Sequence, residues 1–269
     1  YIVYSFWPPS ASSPQINILE DYVRAVQHLN KSSTALERSL SGFNAVEPDV
    51  EGLYSVRGRL ESHLHNISLV YGSEDSFFVR VAKSYLSIAE ASVGVVGAYR
   101  RVSPSANTLR ESLELLALCR VGEALEKYGA VEEGVLDALG YTASAIEILR
   151  SVDSGYVAEN HIPIVNASLK RLERVYESLQ GVDMVMQIVR RYRGAVEALC
   201  RGGEVSDTLL NSLLNEVGGV RASGPLSPEI MSARNSLLSL IRQRLASYGQ
   251  EDAGGQGGGA GYAPPKSDD

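Results

Sequence analysis

The sequence predicts an all-α fold: an elongated antiparallel helical bundle of about eight or nine helices, or two stacked bundles, with a glycine-rich C-terminal tail. Three observations carry this expectation. Apolar residues recur at alternating spacings of three and four through most of the chain. No stretch alternates with period two over the length of a strand, so no sheet is expected. Prolines and paired glycines punctuate the periodic stretches at helix-length intervals.

Ser10 to Pro14 reads as a linker, with Ser13 and Pro14 as N-cap and first helical residue. A first helix then runs to about Gly42, with Leu19, Tyr22, Val26, Leu29, Ser33, Leu36, Leu40 and Phe43 on its seam. Pro48 opens a second helix that Gly72 closes, and the short joint between the two favours an antiparallel hairpin.

Ser73 to Ser103 is the organising element. Phe78, Val81, Tyr85, Ile88, Ser92, Val95, Tyr99 and Val102 form its seam. Ser73 suits the N-cap, Glu74 and Asp75 the positive end of the helix dipole, and Arg100 and Arg101 the negative end. Between Ser84 and Tyr99 the only charge is Glu90, so other helices are expected to enclose this one. Glu90 itself is either a solvent-facing charge or a partly buried carboxylate paired with an arginine of another helix. Gly94 and Gly97, with Ala91, Ser92 and Ala98, narrow one end of the helix. Glycine is costly inside a helix, so the narrowing implies close approach of a neighbouring backbone or a small ligand pocket.

A fourth helix is expected from near Ser105 to Gly129, and a fifth from Val131 to Val152. Asp153 to Ile162 is irregular and marks a candidate internal division. Pro163 opens a sixth helix that Gly181 ends, and a seventh runs from Asp183 to Cys200. A shorter helix covers Ser206 to Val217, and Ser227 with Pro228 starts the last, which reaches Tyr248. The domain limits are thus 1–13 for an apolar arm and linker, 14–248 for the bundle, and 249–269 for the tail. The tail composition cannot offset the entropy of ordering and predicts disorder. Ala117-Leu118-Cys119-Arg120 is echoed by Ala198-Leu199-Cys200-Arg201, which fits either a duplicated helix pair or coincidence.

The net charge of −7 argues against a nucleic-acid partner. Two cysteines exclude a disulfide-rich scaffold and a cysteine zinc cluster, but permit one Cys119–Cys200 disulfide. His63 and His65 are two apart on a helix and do not share a face, so they do not chelate one ion together. HExxH, CxxC, GxSxG and P-loop patterns are absent. No catalytic, cofactor or metal residue is therefore assigned, and a non-enzymatic protein is expected. Asn30, Asn66 and Asn166 begin N-glycosylation sequons.

The segment Tyr1 to Trp7 is apolar and aromatic, and no Lys or Arg occurs before Arg24. It reads either as the end of an anchor or signal preceding Tyr1, or as an arm packed on the bundle. Together these features lead to an expected function: a membrane-tethered, extracytoplasmic structural or interaction module with a protein partner or self-association. The alternatives are a ligand-sensing or binding helical domain of an envelope receptor, and a cytoplasmic helical adaptor.

Overall fold

A computed structural model describes residues 14–71 and 76–254. The described residues form ten α-helices and no strand: α1 Pro14–Leu40, α2 Val50–Tyr71, α3 Phe77–Val102, α4 Ala106–Ala117, α5 Val121–Gly129, α6 Glu132–Ser151, α7 Ile162–Arg191, α8 Arg193–Cys200, α9 Asp207–Gly219 and α10 Ser227–Gly254. They pack as an elongated bundle around a continuous hydrophobic core to which every helix contributes. The N-terminal segment, Ser73 with its acidic neighbours, and most of the expected tail lie outside the described residues.

α3 is the central helix. It packs against α1, α2 and α6. Ile88, Ala91, Ser92, Val95, Ala98 and Val102 on it are wholly buried. Its low charge follows from this enclosure: a charge on any of those faces would be stripped of water without a partner. The helix starts at Phe77, with Ser76 in extended conformation as its N-cap, and Ser103 caps its end before Pro104.

α3 and α6 cross antiparallel at close range. A Cβ at Gly94 would stand 3.3 Å from the Tyr141 carbonyl, and one at Gly97 3.0 Å from the Tyr141 ring. Gly134 of α6 reciprocates, since a Cβ there would lie 2.9 Å from the Arg101 carbonyl. Arg101 also pairs with Asp137 at 3.1 Å. The narrow end of α3 is filled by α6, so close approach, not a pocket, explains Gly94 and Gly97.

Three helix boundaries differ from expectation. The last helix, expected to reach Tyr248, continues as α10 to Gly254, into the segment expected to be disordered. The stretch expected as one helix from Ser105 to Gly129 breaks after Ala117, because Cys119 turns to a left-handed φ of 61°. Its N–H and that of Arg120 fold back onto the Leu116 and Leu115 carbonyls at 3.0 and 2.8 Å, closing α4 before α5 begins. Conversely, α7 runs unbroken through Gly181, which was expected to end a helix. Gly181 is a notch: a Cβ there would stand 2.6 Å from the Arg221 carbonyl of the strap joining α9 to α10. The helix ends instead at Tyr192.

Among the described residues no helix is long and apolar enough to cross a membrane. This corrects the expected membrane-tethered, extracytoplasmic module, together with the localisation and the membrane partner that rested on it. The apolar faces of α1, α3 and α7 are buried in the shared core, α1 lying against both α3 and α7.

The glycine geometry makes opposite predictions for two helical positions. Gly181→Ala forces a methyl group against a backbone carbonyl and should cost about 1–3 kcal/mol, lowering the melting temperature. Gly140→Ala, exposed on α6 with nothing within 4 Å, should stabilise by about 0.5–1 kcal/mol. Thermal denaturation of both variants checks the pair.

Candidate functional site

The residues singled out in the sequence do not converge on one place. Glu90 is half-buried on α3, and among the described residues it makes no ion pair or hydrogen bond, so of its two readings the one with an arginine partner is not met. Asn30 is half-buried between α1 and α7, where its Oδ1 accepts from Arg171 at 2.9 Å. Asn66 and Asn166 are exposed on α2 and α7, but Ser168 of the latter sequon is wholly buried. Cys119 and Cys200 form a disulfide with a Cα–Cα distance of 5.5 Å, tying the α4–α5 turn to the end of α8. The echoed Ala-Leu-Cys-Arg segments thus meet each other, yet Cys119 is left-handed while Cys200 is helical.

Among the described residues two polar networks run from the core to the surface between helices, and the sequence reading did not find them. In the first, Tyr22 of α1 stacks on Tyr85 of α3 at 4.2 Å. The Tyr85 hydroxyl accepts the Ala158 N–H at 2.9 Å and lies 2.8 Å from Nδ1 of His161. Beside them, buried Asp21 accepts three hydrogen bonds from Arg59 at 2.7–3.0 Å, and His63 meets the edge of Tyr22 at 6.3 Å. Burial, then the Tyr85 neighbour, pushes the Tyr22 phenol far up. Burial holds His161 below its ordinary value. It does the same to His63, against a smaller opposing pull from Asp21. The signal was present: Ser55, Arg59 and His63 are four apart, one polar stripe on the α2 face turned to α1.

In the second network, the buried Tyr128 of α5 donates to Asp183 of α7 at 2.6 Å. Gln187 donates to both Asp183 and Glu132, at 3.1 and 2.7 Å, and Arg190 forms two bonds of 2.8 Å with Glu132. Arg190 holds the Glu132 carboxyl below its usual range. The Tyr85, Asp21 and Tyr128 oxygens are each held by hydrogen bonds between helices, so these contacts tie one helix to the next. Among the described residues no group of three His, Cys, Asp or Glu side chains is placed to hold a metal ion.

The open concavity is elsewhere. A cleft of about 790 Å³ lies between α6, α7 and the strap after α9. Ile146, Tyr176, Gly181 and Met184 give it an apolar floor. Glu147, Glu173, Glu177, Arg150 and Arg221 form its rim. Arg150 is engaged with Glu173 at 2.8 Å, and Ser223 donates to Glu177 at 2.7 Å. Glu147, exposed on α6, has no such partner among the described residues. The notch at Gly181 is part of this floor: the strap can lie across α7 only because no side chain stands there. A shallower pocket of about 500 Å³ overlies the Asp21–Arg59 pair between α1 and α2.

Two measurements follow from this geometry. His28, His63 and His161 are all held below the ordinary histidine value, first by burial. Their contribution is fully present above about pH 6.5 and is lost as pH falls through the folded values, because the unfolded chain takes up the protons first. Urea midpoints should therefore drop between pH 7.5 and pH 5, and His161→Gln, which keeps an acceptor for Tyr85, should make that slope shallower. Replacing both cysteines by serine should cost about 2–5 kcal/mol, read as a lower urea midpoint that reducing agent no longer shifts.

Compared with protein-family models, with curated proteins and with solved structures, the chain matches none.

Proposed function

We propose that this chain is a non-enzymatic helical binding module that holds an amphipathic helical segment of a partner protein in the α6–α7 cleft. The cleft itself carries the reading. It is the larger of the two concavities described, it is open along two long helices, and its floor is apolar while its rim is charged. An apolar stripe laid into such a groove is a recurrent mode of helix recognition. Met184, 45% exposed at the floor, is a side chain that adapts to a partner's surface.

The rim sets the partner's charge. Three glutamates face two arginines, and Arg150 is already committed to Glu173. Glu147 is left to meet a lysine or arginine beside the partner's apolar stripe.

A labelled 18-residue leucine–lysine amphipathic peptide, followed by fluorescence anisotropy, tests this. Saturable binding is expected, weakened about ten-fold by Met184→Glu, which corresponds to ~1.4 kcal/mol. Glu147→Lys should weaken binding most at low salt. Absence of saturable binding, or equal binding by Met184→Glu, would overturn the proposal.

A further inference from the structure

The densest group of exposed apolar side chains lies away from the cleft, where α2 ends and α3 begins. Leu69 is 72% exposed, Val70 76%, Tyr71 51% and Phe77 48%. Aromatic rings continue the patch: Tyr71 to Phe78 at 5.3 Å, Phe78 to Phe77 at 5.9 Å, and Phe77 to Tyr156 at 5.7 Å. Arg80 borders it, 5.3 Å over the Tyr156 ring and 2.9 Å from its hydroxyl. Asn66 to Tyr71 carry no charge. The linked rings with Leu69 and Val70 exposed beside them are a concentration of apolar surface that suits an interaction site.

The topology brings one apolar segment to its side. α1 and α2 run antiparallel: Asp21 meets Arg59, Tyr22 faces His63, and Ile18 shares a pocket wall with Ser62 and Asn66. Each residue toward Pro14 on α1 is thus a step toward Tyr71 on α2. At 1.5 Å per residue Pro14 stands about 6 Å beyond Ile18, close to the level of the patch. Ahead of it the chain reads Tyr1-Ile2-Val3-Tyr4-Ser5-Phe6-Trp7, and no charge occurs before Glu20. Residues 8–13 can bridge up to about 20 Å when extended.

We propose that the Leu69–Tyr71 and Phe77 patch is the docking surface for the apolar segment Tyr1–Trp7 of the same chain. Neither Tyr1–Trp7 nor the patch side chains Leu69, Val70, Tyr71 and Phe77 carry a charge, and the tether through residues 8–13 gives the segment a high local concentration at the patch. A second copy is a poorer occupant. Four exposed side chains fall well short of the roughly 20–30 residues per side of a stable dimer interface.

Trp7 is the only tryptophan, so its fluorescence in the full chain reports this segment alone. Docking predicts blue-shifted emission and protection from acrylamide. Val70→Glu and Leu69→Glu, at sites too exposed to affect folding, should each shift emission to the solvated value and remove the protection. Val46→Glu, 87% exposed in the α1–α2 joint, should leave it unchanged, with circular dichroism confirming the helix content of all three. Solvated emission in the unaltered chain, or protection that survives both patch variants, would overturn the proposal. So would protection that disappears on dilution together with a dimer in sedimentation, since the patch would then serve a second copy.

Discussion

The distance at which α3 and α6 cross constrains the rest of the bundle. Arg101 and Tyr141 present backbone carbonyls where a side chain would normally stand, and Gly134 and Gly94 yield the space. With α6 held this close, α3 is shut in on a third side, and α1 and α2 complete its enclosure. The long uncharged run of α3 is stable only in that setting. A single methyl group at such a crossing is felt because helix backbones, unlike side-chain tips, have no second position to take.

Polar groups are distributed to suit this packing. Tyr22, Tyr85 and His161 join α1, α3 and the start of α7 through stacking and hydrogen bonds, and Tyr128 with Asp183 joins α5 to α7. These contacts are directional where the leucine seams are not, so they fix which helix faces which. The larger concavity lies between α6 and α7 where the strap at Arg221 crosses α7, so an irregular segment closes one side of a groove between two regular helices.

The all-α class was legible from three–four spacing because every long helix here buries one stripe, as Leu29, Leu36 and Leu40 do on α1. The role of Gly94 and Gly97 was legible too, since interior glycines imply a close neighbour. Gly181 was misread for a physical reason: glycine stops a helix in isolation, but its cost is offset when a neighbouring strand of chain needs the gap. The break at Cys119 was hidden because a left-handed cysteine leaves the apolar period of its surroundings intact. The cleft was illegible altogether. Its floor residues Ile146, Tyr176 and Met184 belong to two helices that are separate in sequence, and only tertiary placement brings them to one groove.

The Cys119–Cys200 bond spans 81 residues of sequence and closes them into a covalent ring containing α5, α6, α7 and α8. Both long walls of the cleft belong to that ring. A single backbone cut in the connection between α6 and α7 would therefore leave the two walls chemically joined. The part of the molecule that offers the groove is topologically protected against nicking, while the α1–α2 hairpin, outside the ring, has no such safeguard.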